Sequence, residues 1–196
     1  MMEHAPWQGA GYEDGIDGKR VVIVGYSHWS EEPDRDDFTQ SQVESWAMGD
    51  EPQPFGPRLR SFFGDADAPT FWNSIAFFNA LPSLVGGADK RYADGTPEQI
   101  AAIAPRALRL VAELEPDRIF VFSKKAWKRW PGYTGALQEH TLLVDEVGAF
   151  DAGSYRHGRG EAIAFGFNHP QYSPVAPTRE AVKAALKASP GDLVVI

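Results

Sequence analysis

Val21-Val22-Ile23-Val24-Gly25-Tyr26-Ser27-His28-Trp29 is the stretch that decides the fold. The four apolar β-branched residues, bounded by Lys19-Arg20 and Gly25, predict a short buried strand. Gly25 to Trp29 then puts a hydroxyl, an imidazole and two aromatics on the turn just past it. In an open α/β sheet, the crevice outside the carboxyl ends of the strands is where ligands bind. A second segment has the same build. The apolar run 162–167 leads into Asn168-His169-Pro170-Gln171-Tyr172-Ser173. Two histidine loops feeding one crevice point to a catalytic or base-binding cleft.

Outward from these loops, the chain alternates strand and helix signals. Residues 38–48 predict a helix with Val43 and Trp46 inward, and the Gly/Pro-rich stretch 49–57 predicts a loop. Ile75-Ala76-Phe77-Phe78 reads equally as strand or helix. Thr96-Pro97-Glu98-Gln99 has the residues of a capping box with proline in the first turn. The helix it starts is expected to run through Ile100, Ile103, Leu108, Val111 and Leu114 and to stop before Pro116. Arg118-Ile119-Phe120-Val121-Phe122 predicts a strand, followed after Ser123 by a short helix through Ala126 and Trp127. Residues 141–144 and 162–165 predict further strands, and 178–188 a capped amphipathic helix. The expected fold is α/β, a three-layer α/β/α sandwich with a mostly parallel central sheet, in one domain over residues 1–196.

Composition narrows the chemistry. The 196 residues are 43% apolar, enough for a sizeable core, and include no cysteine. Disulfides, thiolate zinc sites and iron–sulfur clusters are therefore excluded. The five histidines are scattered without ligand spacing, so no metal and no other cofactor is expected. Residues 1–18 lack a signal-peptide pattern, and no apolar run approaches the ~20 residues that span a bilayer. A cytoplasmic monomer with no membrane partner is the expectation. Asp and Glu outnumber Lys and Arg by 27 to 19, which argues mildly against nucleic acid. Charge placement qualifies this. Residues 31–37 are acid-rich, Lys124-Lys125-Ala126-Trp127-Lys128-Arg129-Trp130 is basic with tryptophans between, and Arg156-His157-Gly158-Arg159 is a second basic loop.

Three side chains carry candidate chemistry. His28 can orient a water or donate to a leaving group, because imidazole titrates near neutrality; it can equally be a turn histidine bonded to backbone. Ser27 and His28 do not form a nucleophilic dyad, since neighbours on a turn rarely face each other and no G-x-S-x-G elbow is present. The amide of Asn79 offers both a donor and an acceptor, which suits the edge of a nucleobase and also suits a turn before Pro82. Pro170 restricts His169 to extended geometry, which would aim its ring reproducibly.

Taken together and in this order, these segments resemble the motifs of the uracil-DNA glycosylase superfamily, in an uncharacterised bacterial branch. The similarity spans about residues 20–188. Gly25-Tyr26-Ser27-His28-Trp29 stands at the first motif, and Ile75-Ala76-Phe77-Phe78-Asn79-Ala80-Leu81 is similar to the strand closed by a base-reading Asn. Ile119-Phe120-Val121-Phe122-Ser123-Lys124-Lys125-Ala126-Trp127 resembles the middle strand and turn. His169-Pro170-Gln171-Tyr172-Ser173 resembles the final motif. Two departures stand out: the first motif has no carboxylate, and Gln171 replaces a small residue.

The resemblance implies DNA as partner and an altered base flipped out of the stack. It implies Asn79 reading the base edge, with Tyr26, Trp29, Phe55 and Ser123 around it and Phe62 or Phe63 as further stacking candidates. His169 and first-loop amides would stabilise the departing base. His28 or a nearby acid (Glu13, Asp34, Asp36 or Asp37) would place the water, with Ser27 beside it. Tyr172 and Gln171 would enter the duplex, and Lys124, Lys125 and Arg129 would hold phosphates. Two rivals stay open: a non-catalytic nucleobase binder on the same fold, and an unrelated α/β hydrolase of a small metabolite.

Overall fold

Strand β2, Val21–Gly25, is buried at all five positions. Its side chains alternate between two cores. Val21 and Ile23 join Val43, Trp46, Leu59 and Phe62; Val22 and Val24 join Ala107, Leu110 and Val111. Successive residues of a strand point to opposite faces, so an apolar residue at every position is what burial on both faces demands. The computed structural model describes residues 2–51, 53–131, 140–144 and 147–195.

The same alternation runs through β3 (Ile75–Asn79), β4 (Arg118–Val121) and β7 (Gly160–Gly166). Helices α1 (Phe38–Ala47), α2 (Phe55–Phe63), α3 (Ala68–Asn73) and α7 (Val175–Lys187) contribute to the first core. Helices α5 (Ile103–Leu114) and α6 (Lys124–Trp127) contribute to the second. The chain is thus α/β, with helices on both faces of one sheet. Among the described residues, no helix is long and apolar enough to cross a membrane.

The sheet is mixed rather than mostly parallel. With β1 (Trp7–Gln8), β5 (His140–Val144), β6 (Gly148–His157) and β8 (Leu193–Val195), its order is β1-β3-β2-β4-β7-β6-β5-β8. The inner strands β3, β2, β4 and β7 pair in parallel, and all other pairings are antiparallel. The departure has a covalent cause: Gly158-Arg159 joins β6 to β7, and so short a connection can join only antiparallel strands.

Several boundaries also differ from expectation. The Ile75–Asn79 segment is a strand, fixed by parallel pairing with β2. Thr96 and Gln99 form the capping box, but the helix it opens, α4 (Pro97–Ala101), ends at Ala102, where α5 begins. Leu108 is exposed on the outer face of α5. The expected loop 49–57 ends early, because α2 starts at Phe55 and takes Gly56 and Pro57 into its first turn, where proline is tolerated. Helix α7 starts at Val175, which leaves Thr178 inside it rather than at its cap.

What positions the site is the parallel register. Gly25 lies opposite Asn79, Val24 opposite Val121, and Val121 opposite Gly166. Four strands therefore end side by side, and the loops that follow them leave from one edge of the sheet.

Candidate functional site

Those loops enclose a cavity of about 840 Å³ at the carboxyl edge. Ser27, His28, Asn79 and His169 all line it, although they come from three remote stretches of chain. The volume lies in the range of ~300–1,000 Å³ typical of small-molecule sites, so the space is wider than a slot for one flat ring. No Asp or Glu is among the described residues lining it, while Arg91, Lys124 and Lys125 are.

Asn79 ends β3 and is buried to 5% exposure. Its side-chain oxygen lies against Gly25, so close that a Cβ there would collide with it. The glycine at the end of β2 is thus needed for space. From the other side, buried Arg106 of α5 donates to the Asn79 carbonyl at 2.6 Å and to the His4 carbonyl at 2.7 Å. Its third contact is Glu3, at 3.0 Å. Burial lowers the pKa of Arg106 to about 10, which leaves it charged at neutral pH. The strand end that carries Asn79 is therefore clamped from behind.

The two loop histidines sit in different settings. His28 is 6% exposed, with Nε2 3.1 Å from Thr39 Oγ1 and its ring packed 5.2 Å from Phe38 and 5.8 Å from His4. Burial first, then the charges of His4 and Arg106, lowers its pKa to about 3. A ring that stays neutral and has Nε2 engaged is suited to holding the Gly25–Trp29 loop in place. His169 is half-buried, and burial holds its pKa below the ordinary 6.5. Its Nδ1 accepts from the Gln171 backbone N–H at 3.3 Å. An imidazole that accepts at Nδ1 and is neutral carries its proton on Nε2. His169 thus offers an uncharged N–H donor.

Aromatic rings form the apolar wall. Phe55 lies 5.6 Å from the His169 ring, 6.2 Å from Phe77 and 6.0 Å from Trp46. Trp29 and Tyr26 also line the space. The Tyr26 hydroxyl donates to the Asp94 carbonyl at 2.5 Å, which ties the first loop to residues 91–94. Phe62 and Phe63 are absent from this wall: they pack against Phe122 in the core, because the α2 face that carries them turns to the sheet.

The other expected residues are distributed as follows. Ser123 lines the cavity and caps α6, its hydroxyl accepting from Ala126 N–H at 3.2 Å. Lys124 pairs with Asp151 at 3.4 Å and Lys125 with Asp94 at 2.5 Å, both on the rim. Gln171 and Tyr172 line the mouth, Tyr172 with 72% of its surface exposed. Arg129 follows α6 in the chain and donates to the Lys125 carbonyl, and it is not among the lining residues. The acids weighed for placing water are engaged elsewhere. Glu13 pairs with Arg159 at the opposite end of the sheet, Asp34 with His4 at 2.6 Å, and Asp37 with Arg35. None of these, nor Asp36, lines the cavity.

Sequence reasoning missed Gln42, Trp46, Arg91 and Tyr92, which also line the space. For α1 a signal existed: Thr39, Gln42 and Trp46 share one helix face at spacings of three and four. For Arg91 and Tyr92 none existed, since their place depends on how a loop folds over the sheet edge. Compared with protein-family models and with curated proteins, the chain matches none.

Proposed function

We propose that the protein is a DNA glycosylase with a uracil-DNA-glycosylase-like fold, which hydrolyses the N-glycosidic bond of an altered base flipped into this cavity. The observation that carries the proposal is the meeting of Asn79, His169 and the Ser27 loop on the wall of one aromatic-lined cavity. The amide of Asn79 has the donor and acceptor that a base edge requires. Phe55 and Trp29 offer ring faces for stacking. The bond between the sugar C1′ and the base nitrogen breaks with its electron pair moving onto the base. His169 Nε2–H donates to the negative charge that develops there, and a preorganised donor of this kind acts on the transition state. A water oxygen then bonds to C1′, and the departing base anion takes up the proton that the water loses. Arg91 offers positive charge at the rim for a phosphate, and Lys124 and Lys125 can join it by exchanging their pairs with Asp151 and Asp94 for the phosphate oxygens.

A second reading is favoured by one observation: the described lining residues include no carboxylate to activate water. On that reading the protein holds a flipped base without cleaving it. Single-turnover incubation with single- and double-stranded oligonucleotides bearing uracil, hypoxanthine, xanthine or hypermodified bases separates the two. Abasic product from wild type, lost in His169→Ala, is the expected result. Binding without product moves the assignment to the binder, and neither binding nor product contradicts both.

A further inference from the structure

The cavity has more room than a flipped base fills. At about 840 Å³ it matches spaces that hold drug-sized molecules. The sugar and phosphate account for the mouth, beside Lys124, Lys125 and Tyr172. A further stretch of wall comes from α1 and the start of α2, away from the strand ends.

Helix α1 turns one face to the site. Thr39, Gln42 and Trp46 stand on it, with Thr39 bonded to His28 at 3.1 Å. That contact fixes the helix against the first loop. Trp46 is 5% exposed and packs 5.9 Å from Phe77 and 6.0 Å from Phe55, so the apolar wall continues from the base slot to α1. Gln42, one turn before Trp46, is half-buried and lines the same space, as does Gln53. This stretch of wall combines aromatic rings with amides and, among its described residues, carries no charge.

We infer that the α1 side of the cavity is a specificity subsite for a base carrying a neutral, hydrogen-bonding substituent, read by the Gln42 amide. The inference rests on the nucleobase assignment above and names the class of base. A carbon stem on the base has Phe55 and Trp46 to lie along. A hydroxyl or amide at its tip has the donor and acceptor of Gln42 to pair with. A carboxylate or ammonium there would lose its hydration without gaining a counter-charge, which is costly. A base without the substituent would leave the Gln42 amide to water. Sites built to bond a substrate group discriminate against analogues that lack it.

The test is equilibrium binding of single-stranded oligonucleotides of one sequence, measured by fluorescence anisotropy. One position carries, on a 2′-fluoro sugar that resists cleavage, uracil or uracil with a hydroxymethyl, hydroxypropyl or carboxyl group at ring carbon C5, or else a stable abasic analogue. Wild type is expected to hold the better hydroxyalkyl base about tenfold tighter than plain or carboxylated uracil, and Gln42→Leu to erase most of that ratio. Gln42→Ser, which keeps polarity but loses reach, repeats the test should Gln42→Leu unfold the helix. Equal affinity for the plain and substituted bases, or a preference untouched by both variants, overturns the subsite while leaving the base assignment standing. If no base is held more tightly than the abasic analogue, the nucleobase assignment fails and the subsite with it.

Discussion

Gly25 and Asn79 are register partners at the ends of β2 and β3, and the Asn79 side-chain oxygen occupies the space that a Cβ on Gly25 would fill. One residue's lack of a side chain thus sets the position of the other's amide. Gly25→Ala must displace Asn79 or the strand. Overpacking of this kind costs about 1–3 kcal/mol. The variant should unfold at lower urea concentration and lose base binding while keeping its far-UV circular dichroism. Wild-type binding by Gly25→Ala would show that the Asn79 amide is not what holds the ligand.

His169 should act as a neutral donor. Its pKa is held below 6.5 by burial, so the neutral form prevails at pH 7 and is lost only as pH falls below 6.5. Protonation would also remove the Nδ1 lone pair that accepts from Gln171. Excision should therefore be flat from pH 7 upward and fall on the acid side, with a midpoint under 6.5. His169→Ala should cost ~10²–10³ in rate. A rate that rises as pH drops toward 5 would make the imidazolium the working form and contradict this.

His28 should make folding acid-sensitive. Its pKa is 6.5 when exposed and about 3 in the buried setting, so the unfolded chain binds the extra proton first. Stability is then complete above pH 6.5 and declines below it, by about 1.4 kcal/mol per pH unit from this group alone. Carboxylates add a slope of the same sign in any variant, so the difference between wild type and His28→Gln isolates the histidine. Urea unfolding at pH 7 and pH 5 should show a shallower loss for His28→Gln. Equal losses would mean that His28 is not held neutral by the fold.

Arg106 should matter out of proportion to its distance from the ligand. It reaches Asn79 only through the backbone carbonyl, at 2.6 Å, and holds the His4 carbonyl with the same guanidinium. Arg106→Leu leaves both carbonyls buried and unpaired, at a cost of about 2–5 kcal/mol. Thermal unfolding should register that loss, and removing residues 1–5 should reproduce part of it by taking away His4 and Glu3. A variant as stable as wild type would show that the clamp is dispensable.

The parts of the fold legible in the sequence are those whose signal is local. Val21 to Val24 declared a strand because every position had to be apolar, and Thr96 with Gln99 declared a helix start because the cap is made within four residues. Strand β6 was not legible. Its Gly148, Gly153 and Ser154 give no strand signal of their own: Gly153 and Ser154 pair because β7 returns alongside after a tight turn, and Gly148 pairs with Val144 of β5. Helices α2 and α3 were hidden by Pro57 and Pro69, which sit in first turns where proline does no harm. Of the site, the residues carried on strand ends were visible. Those brought in by tertiary docking, Gln42 on α1 and Arg91 with Tyr92 on a loop, were not.

The most direct test compares the affinity of wild type for a single-stranded oligonucleotide carrying one uracil, or one C5-substituted uracil, on a cleavage-resistant 2′-fluoro sugar with its affinity for the same strand carrying an abasic analogue. Asn79→Leu is measured beside it. At least a tenfold preference for a base-bearing strand, abolished in Asn79→Leu, is the predicted result. Equal affinity of wild type for strands with and without the base would contradict the claim that this cavity takes a flipped heterocycle.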